Sequence, residues 1–535
     1  MLLQLDFVPS DWQTQLAAIP AAFYPLAIIP LVLTYYLSSC LAQWRLHDIP
    51  GPRIAAYSNY WFLWQSRWGR RALALDDAHT KYGKMVRIAP RHISIADDAA
   101  IQAVYGHGNK FIKAPFYDAF LNVFRSIFTS RDREEHSRKR KLVSHAFSAK
   151  SMAQVEKYAH ANMELFVKQW RKISDTKKNA KTGYSSIDAL IWFNYLSFDI
   201  IGDLAFGAPF GMLENNRDIV EMRKTPDSPV TYINAVEVLN RRGEVAATLG
   251  TLPGLIPWAR WLPDPFFRLG AEAISNLAGI ATSAVNRRLQ LQGTTEERTD
   301  LLTRLIEGKD GNGNKLGRLE LTGEALTLIT AGSDTTSNTF CAILYWVLKT
   351  PHVMPKLQKA LDEALAQDVE VPTLDMVKNI TYLQWVIWEV LRIHSTFGLG
   401  LPRQIPPERG VVEVCGHKFY PGDILSVPIY SVHRLKEVWG PDAEEFVPER
   451  WDPARVTQRQ KDAFIPFSLG PRACIGRNLA EMELFVGCSS FFRLFDITLE
   501  QEGPMQISEG FLRKPVELMV GIKRRTPKSQ TSTQT

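Results

Sequence analysis

The chain has 535 residues, of which 45% are hydrophobic, and a net charge of +7. This length suits two or more ordinary domains or one unusually large one, and the apolar content excludes general disorder. A charge excess this small for its length predicts no nucleic-acid partner, although it is compatible with an acidic protein or an anionic membrane surface.

The first predicted element is a membrane-spanning helix. No charged residue lies between Asp11 and Arg45, and a helix crosses a bilayer with roughly 20 apolar residues. A cleaved signal peptide, the alternative, would have a basic start and a shorter apolar run, whereas this start is acidic. Arg45 and Arg53 follow the run and no lysine or arginine precedes it, so the positive-inside rule places the rest of the chain in the cytosol.

The predicted organisation has five parts. They are a short lumenal segment (1–15), a transmembrane anchor (16–43), a proline-rich hinge (44–54), a large globular domain (55–524) and a disordered tail (525–535). The hinge contains HDIPGPR, whose prolines favour an extended chain.

The pattern of the large domain is mainly helical with a small amount of sheet. A β-hairpin is predicted for MVRIAPRHISIADD, and helical periodicity dominates from AAIQAVYG to about residue 400. Polar breaks interrupt it near 175–185, 213–230 and 308–318. Further strands are predicted in VVEVCGHKFYPGDILSVPIY, around a Pro-Gly-Asp turn.

A long helix is predicted to end before Pro351, and its middle carries the polar cluster AGSDTT, residues 331–336. Gly332 destabilises such a helix by about 1 kcal/mol relative to alanine, so a close approach is expected there. An acid beside a hydroxyl, here Asp334 with Thr335, suits the delivery of protons to a bound ligand. An exposed polar stripe or a helix kink is the alternative.

The segment WEVLRIH places Glu389 and Arg392 on one face of a helix. On a surface such a pair contributes roughly 0.3–0.5 kcal/mol. Here the surrounding YLQWVIWEVL is apolar, and FVPERW provides a second arginine, Arg450. We therefore predict a buried network of one carboxylate and two guanidinium groups, which stabilises only when every member is satisfied.

The five cysteines form no CxxC pair, so neither a disulfide framework nor a zinc site is expected. One of them, Cys474, lies between Gly470 and Gly476 in FIPFSLGPRACIGRNLAEME, two residues after Arg472. Alone, such a cysteine is more often an inert packing residue. A thiolate is also a strong ligand for haem iron, and a loop that leads into a helix lets backbone N–H groups stabilise its charge. Arg472 would then pair with a haem propionate.

Together and in this order, these motifs resemble those of the cytochrome P-450 family. The match comprises the oxygen-activation motif at 331–336, the buried network of Glu389, Arg392 and Arg450, and the haem loop with Phe467, Gly470, Arg472, Cys474 and Gly476. The resemblance implies the cytochrome P-450 fold, one large and mainly α domain with a small β-rich lobe, which binds haem b (iron protoporphyrin IX). The predicted transmembrane helix precedes it.

The resemblance also implies roles for single residues. Cys474 is the axial ligand of the haem iron, Phe467 shields its sulfur, and Asp334 and Thr335 relay protons to dioxygen.

Three further haem contacts are predicted by the resemblance. Arg403, in GLPR, stands where the family contacts a propionate, and His136 with Arg140 stands where the family often has Trp-x-x-x-Arg. The tryptophan is absent from this chain.

The implied partners are NADPH–cytochrome P-450 reductase, which passes electrons from NADPH through FAD and FMN, and the endoplasmic reticulum membrane, which the chain crosses once with its catalytic domain in the cytosol. The predicted docking face is the basic helix at 131–141, RDREEHSRKRK, because rim charges mainly steer encounter. A solvated basic helix face is the alternative.

Four segments resemble the benzoate para-hydroxylases of filamentous fungi. They are KYGKMVRIAPRHISIADDAAIQAVYGHGN, FNYLSFDIIGDLAFGAPFGML, EMRKTPDSP and AVEVLNRRGEVAATLG. This similarity implies that benzoate, O2 and electrons from NADPH give 4-hydroxybenzoate. The alternatives are the same chemistry on another small aromatic acid or phenolic, a haem-binding sensor or carrier, and a membrane-anchored scaffold without a cofactor.

Such a substrate must be held with its para carbon toward the iron, so donors for its carboxylate are expected at the far end of a small apolar pocket. The candidate donors are Lys224, Arg241, Arg242, Ser395 and Thr396. Apolar contacts to the ring are expected from Leu326, Ile329, Thr330 and Phe397. For each of these residues an ordinary surface or core role is the alternative.

Overall fold

The structure is a computed structural model and describes residues 29–30, 33–34, 37–38, 44–176, 178–290, 300–309 and 313–527. The predicted lumenal segment, most of the predicted transmembrane anchor and most of the predicted tail lie outside these residues.

Helices dominate the part of the chain that is described. The α-helices are α1 (Tyr60–Arg67), α2 (Arg71–Tyr82), α3 (Ala99–Tyr105), α4 (Arg133–Ser144), α5 (Ala149–Thr176), α6 (Ala189–Phe206), α7 (Met212–Asn215), α8 (Ala235–Leu249), α9 (Pro265–Gln290), α10 (Leu301–Glu307), α11 (Arg318–Lys349), α12 (Val353–Ala364), α13 (Leu374–Val377), α14 (Thr381–Ile393), α15 (Ile429–Val432), α16 (Lys436–Trp439), α17 (Gln458–Ala463) and α18 (Arg477–Leu494). Short 3₁₀ helices span Trp44–Leu46, Arg53–Ala56, Pro115–Phe120, Pro253–Trp261, Pro407–Arg409, Pro448–Trp451 and Gly470–Arg472.

The strands are short and form small sheets. They are β1 (Met85–Ala89), β2 (His92–Ile95), β3 (Ile112–Lys113), β4 (Ser185–Asp188), β5 (Val220–Met222), β6 (Thr231–Ile233), β7 (Arg403–Gln404), β8 (Val412–Val414), β9 (His417–Phe419), β10 (Ile424–Ser426), β11 (Phe495–Leu499), β12 (Ile507–Glu509), β13 (Arg513–Pro515) and β14 (Met519–Arg524). The largest sheet has the order β1-β2-β10-β7-β3, and a three-stranded sheet has the order β11-β14-β4. The pairs β5-β6, β8-β9 and β12-β13 complete the set.

The predicted β-hairpin is confirmed, since β1 and β2 pair antiparallel with Met85 opposite Ile95. The strands predicted around the Pro-Gly-Asp turn are also present, as β8, β9 and β10. These strands share a hydrophobic cluster with α3, while a larger and mostly helical cluster combines residues of α5, α6, α11, α14 and α18. The predicted architecture, mainly helical with small sheets, is therefore confirmed.

The helices α6 and α11 form the centre of the helical part. α11 has 32 residues, which gives it a length of about 48 Å. Its Gly332 meets α6, because a Cβ at this position would lie 2.8 Å from Ile201 Cδ1. The close approach predicted at Gly332 is thus helix–helix packing, although the residue also borders the cavity described below.

α6 is also the one helix among the described residues that is long and apolar enough to cross a membrane, with a mean hydropathy of 1.3. It is 94% buried within the protein, as the core helix of a globular domain would be.

Candidate active site

The loop that carries Cys474 has a fixed backbone. Ser468 and Gly470 have φ angles of 58° and 70°, and the Cys474 N–H donates to the Phe467 carbonyl at 2.8 Å. Only glycine fits at 470, because a Cβ there would lie 2.1 Å from the Tyr105 carbonyl oxygen. These constraints hold Cys474 just before the N-terminus of α18, which begins at Arg477.

The electrostatics of this loop act on the thiol in opposite directions. Burial raises the pKa of Cys474, whereas a hydrogen bond from the Gly476 N–H and the charges of Arg140 and Arg477 act to lower this pKa. The N-terminal end of α18 adds a favourable dipole for a negative sulfur. The loop therefore supports a thiolate once a cation such as iron is present to pair with it.

The Cys474 thiol faces a cavity with a volume of about 320 Å³. The wall combines the cysteine loop, the start of α18, the middle of α11, parts of α4 and α8, and the turn between β12 and β13. Most of the lining is apolar, and it includes Phe467. A thiol at the wall of an apolar cavity can bind the metal of a macrocycle that occupies this cavity.

A cluster of cationic groups lies at the wall of the same cavity. Arg140 Nη1 donates to the Ala473 carbonyl at 2.8 Å, and Arg472 Nη1 donates to the Ser130 carbonyl at 2.9 Å. Lys113 Nζ donates to the Phe128 carbonyl at 2.5 Å. Burial and then the neighbouring Arg472, Arg403 and Arg140 hold the pKa of Lys113 well below its ordinary value.

His136 belongs to this cluster as well, because burial and then the charges of Arg472 and Lys113 lower its pKa to about 2. The partners that Arg140 and Arg472 have in the described structure are backbone carbonyls rather than carboxylates. Arginines that lack a carboxylate partner and lower the pKa of a buried lysine and a buried histidine beside them are a site for anions.

Haem b fits these residues. Its iron needs one strong axial ligand, which Cys474 offers. Its two propionates need hydrogen-bond donors and positive charge, which the guanidinium groups of Arg140 and Arg472 offer, with Lys113 and His136 as further donors. When bound, a thiolate-ligated haem supplies the reductive cleavage of dioxygen. The structure brings the predicted contacts His136, Arg140 and Arg472 together around one cavity.

Arg403 does not line this cavity. Its guanidinium donates to the Tyr117 hydroxyl at 2.9 Å and to the carbonyls of Leu401 and Pro402. Arg403 stands behind Lys113 and Arg472 and lowers the pKa of both. The structure therefore places Arg403 next to the cationic groups of the cavity wall, and its contact with a propionate stays a prediction.

The predicted acid–alcohol pair lies in the cavity wall on α11. The Thr335 hydroxyl donates to the Ala331 carbonyl at 2.7 Å, so its oxygen keeps lone pairs for another partner. The Asp334 carboxylate accepts a hydrogen bond from Lys514 Nζ at 2.8 Å. Lys514 also donates to the Asn240 side chain of α8. The acid is therefore held by an ammonium group that bridges α11, β13 and α8.

The predicted buried network has the expected geometry. Glu389 and Arg392 are both 0% exposed, and Arg392 donates five hydrogen bonds, two of them to Glu389. Arg450 Nε donates to Glu389 at 3.2 Å, and Trp451 Nε1 donates to the same carboxylate at 3.0 Å. Every charge of this network has a partner inside the protein.

The structure separates the predicted substrate residues into two groups. The residues that line the cavity are Arg242, Leu326, Thr330, Ser395, Thr396 and Phe397. Lys224 is exposed in the loop after β5, and Arg241 points out beside Glu244, at 4.0 Å. Ile329 is 0% exposed and packs in the helical core. Lys224, Arg241 and Ile329 therefore do not line the cavity, in contrast to the prediction.

Four phenylalanines that border the cavity pack against one another. The ring centroids of Phe120 and Phe511 lie 4.6 Å apart, those of Phe128 and Phe511 5.6 Å apart, and those of Phe397 and Phe511 5.0 Å apart. We call Phe120, Phe128, Phe397 and Phe511 the phenylalanine cage. Flat faces and edges of this kind suit a single aromatic ring.

Sequence reasoning missed most of this cage and several polar wall residues, namely Lys113, Asn122, Glu483 and Lys514. Glu483 is 3% exposed, and burial raises the pKa of its carboxyl from 4.5 to about 8. One signal was available, since Glu483 is the last residue of the quoted stretch and lies in the helix that follows the haem loop. For the others the contact is tertiary and no local pattern indicates it.

Three features meet at one cavity: the cysteine loop, the acid–alcohol pair of α11 and the cationic cluster. Together they define a haem-thiolate protein. The chain belongs to the cytochrome P450 family, whose family profile matches residues 50–522.

Curated relatives agree with this assignment. The chain is 64% identical over 502 residues to a benzoate 4-monooxygenase, bphA, of Aspergillus niger, which covers 94% of this chain and 97% of the relative. It is 30% identical over 478 residues to the cytochrome P450 monooxygenase ORF11 of Penicillium roqueforti, with 88% and 93% covered. It is 31% identical over 474 residues to the cytochrome P450 monooxygenase traB of Penicillium crustosum, with 85% and 87% covered.

Proposed function

We propose that this protein is a haem-thiolate monooxygenase that converts benzoate to 4-hydroxybenzoate. The observation that carries the proposal is the 64% identity, over 94% of the chain, to a benzoate 4-monooxygenase. At this identity the shape of the substrate pocket is expected to be shared as well as the fold. The phenylalanine cage agrees with a substrate that has an aromatic ring.

In this function the residues of the chain have separate tasks. The phenylalanine cage holds the ring and excludes water, which prevents unproductive loss of the reducing equivalents. The Thr335 hydroxyl holds a proton at its Oγ1 and can pass it on as it receives another. The Asp334 carboxylate, beside the Lys514 ammonium, can take up a proton and hand it to the Thr335 hydroxyl in turn. Cys474 holds the iron, and the cationic cluster holds the propionates.

The test is aerobic turnover of benzoate by the purified haem-loaded protein with NADPH and a reductase, followed by separation of the three hydroxybenzoate isomers. The expected product is the 4-isomer, with one product molecule formed per NADPH oxidised. Formation of no hydroxybenzoate, or of the 2- or 3-isomer as the main product, would refute the proposal.

Another small aromatic acid or a phenolic is the second candidate substrate, because the cage itself recognises only the ring. A panel of benzoate, substituted benzoates and phenols, ranked by the spin-state change that each produces, separates the two cases. Benzoate is expected to bind most tightly. A tenfold preference for another member of the panel would transfer the proposal to that compound.

We also propose that electrons come from NADPH through NADPH–cytochrome P-450 reductase with its FAD and FMN. Part of the charge of the predicted docking helix at 131–141 is used internally. Lys139 is 1% exposed, and Arg138 pairs with Glu135 at 2.8 Å. The exposed basic side chains of this segment are Arg133 and Lys141. Substitution of these two by glutamine is expected to slow reduction by the reductase without changing the ligand-binding spectra.

A single-pass anchor in the endoplasmic reticulum membrane remains a proposal. It is supported by the uncharged run between Asp11 and Arg45 and by exposed tryptophans on the described surface. These are Trp44, Trp64, Trp68, Trp258 and Trp261, and tryptophan is enriched at membrane interfaces. Removal of residues 1–43 should release the protein from microsomes at alkaline pH. If the full chain is also released at alkaline pH, or if the shortened protein stays with the membranes, residues 1–43 are not the anchor.

A further inference from the structure

Two adjacent arginines of α8 have different environments. The Arg241 side chain is 37% exposed, lies near Glu244 and does not border the cavity. Arg242 is 5% exposed and borders the cavity. Successive residues of a helix point about 100° apart. Arg242 can therefore face the cavity while Arg241 faces away from it.

Arg242 has few partners inside the protein. Its Nη2 donates to the Phe120 carbonyl at 3.0 Å, and its guanidinium lies 5.1 Å from the centroid of the Phe120 ring. Its buried Nε has no hydrogen-bond partner, and no carboxylate among the described residues forms an ion pair with it. Burial lowers the pKa of Arg242 to about 10, so the side chain is still a cation at neutral pH.

A buried cation in this state is unfavourable, because the loss of hydration is not balanced by an opposite charge. Arg392 shows how the same fold satisfies a structural arginine, with five hydrogen bonds of which two go to a carboxylate. Arg242 lacks this arrangement. An anion bound in the cavity would supply what is missing.

The surroundings of Arg242 indicate which anion fits. The Phe120 ring that lies under the guanidinium is also a member of the phenylalanine cage, so an aromatic ring in the cage has Arg242 at its edge. The amide nitrogen and oxygen of Asn122 are buried at the same cavity without a partner. A planar carboxylate attached to an aromatic ring can accept hydrogen bonds from the Arg242 guanidinium and from the Asn122 amide nitrogen.

We propose that Arg242 binds the substrate carboxylate, with the Asn122 amide as a second donor, and thereby selects aromatic acids over neutral aromatics. This inference rests on the proposed function. The para carbon is the ring atom farthest from the carboxylate, so an anchor on α8 directs that carbon away from α8 and into the cavity.

Lys113 is the competing anchor, since it also borders the cavity as a buried cation. Its surroundings differ, because Arg472, Arg403 and Arg140 lie close enough to lower its pKa. That crowding suits the two propionates of haem, whereas the isolated charge of Arg242 suits one monoanion. The two assignments are separable by experiment.

The test measures the affinity of the haem-loaded protein for benzoate and for neutral benzamide by the spin-state change. Arg242→Met is expected to weaken benzoate binding roughly 30-fold or more, the loss of a charge-assisted pair, and to leave benzamide within about threefold. Arg242→Lys, which keeps the charge, should recover part of the benzoate affinity. Arg241→Met is the matched control and should bind benzoate as the unchanged protein does.

Equal benzoate affinity in Arg242→Met and the unchanged protein would overturn the inference and leave the proposed function intact. Failure of the unchanged protein to hydroxylate benzoate would instead remove the proposed function. If the Arg242 variants do not fold, a crystal structure of the haem-loaded protein with benzoate decides. A carboxylate within hydrogen-bond distance of Arg242 supports the inference, and a carboxylate on Lys113 or Ser395 overturns it.

Discussion

The buried network around Glu389 and the cationic cluster around Arg472 contain similar groups with opposite outcomes. In the network, Arg392 makes five hydrogen bonds and Glu389 accepts from both arginines and from Trp451. In the cluster, Arg472 lowers the pKa of Lys113 and of His136, and the side chains of Lys113 and Arg472 donate to backbone carbonyls. The first arrangement is complete without a ligand, and the second requires an anion.

This difference separates structure from function among buried charges. A buried charge that is fully paired within the chain stabilises the fold and tells nothing about chemistry. A charge that borders a cavity and has no carboxylate partner, as in the cluster and at Arg242, indicates a binding position for an anionic ligand.

The largest effect is expected in the network. Glu389→Gln leaves Arg392 and Arg450 buried without their counter-charge, and breaking such a pair destabilises by about 3–5 kcal/mol. We expect little soluble haem-loaded protein and a strongly lowered melting temperature.

Glu437→Gln is the control for this substitution. Glu437 is a 54% exposed carboxylate that pairs with Lys84 at 2.7 Å, and exposed pairs contribute about 0–1 kcal/mol. If both variants melt at the same temperature, the distinction between the paired network and a surface pair is lost.

The second prediction concerns Asp334, which has a partner in Lys514 and is nevertheless assigned a function. Asp334→Asn keeps the shape but removes proton transfer, so turnover should fall about 100-fold or more while NADPH oxidation falls less. The measurement is the ratio of product to NADPH consumed.

Lys514→Met tests the bridge itself, because it frees the carboxylate without removing it. The ratio of product formed to NADPH consumed is expected to fall in part, with benzoate affinity unchanged. Full coupling in Asp334→Asn would show that another group delivers the proton.

The third prediction tests whether Lys113 of the cationic cluster binds a haem propionate. Lys113→Met removes one cation from the proposed propionate edge, and a charge-assisted hydrogen bond contributes about 1.5–3 kcal/mol. The rate of haem transfer to an acceptor protein should therefore rise roughly tenfold or more. Lys157→Met, an exposed lysine of α5, is the control and should not change this rate. An unchanged rate in Lys113→Met would remove Lys113 from the site.

The smallest effect is expected from pH at Glu483, a buried carboxyl with a pKa raised from 4.5 to about 8 by burial. A raised pKa means that the folded state holds the proton more tightly than the unfolded state. This contribution is fully present below pH 4.5 and is lost as the pH rises toward about 8.

The measurement for Glu483 compares melting temperatures of the unchanged protein and Glu483→Gln at pH 5.5 and 8.5. Relative to the variant, the unchanged protein should be less stable at the higher pH. A difference that does not vary with pH would show that Glu483 has the same pKa folded and unfolded.

Local spacing predicted the cysteine loop, the Glu389–Arg392 pair and the acid–alcohol helix because the groups in each motif are close in sequence. It did not predict Lys514, which reaches Asp334 across 180 residues. The apolar residues Ala235, Leu239, Ala246 and Leu249 of α8 share the face of Arg242, so the helical periodicity around NRRGE could have distinguished Arg242 from Arg241. Ile329 was assigned to the cavity side of α11, whereas it packs in the helical core.

The central claim is that Cys474 is the ligand of a haem iron, and the reduced carbon-monoxide spectrum tests it most directly. Cys474→Ser and the control Cys415→Ser, an exposed cysteine, are each expressed with ample iron and porphyrin. We predict that the thiolate-type Soret band is present in the unchanged protein and in Cys415→Ser and absent from Cys474→Ser. The same band in Cys474→Ser, or no haem in the unchanged protein, would contradict the account.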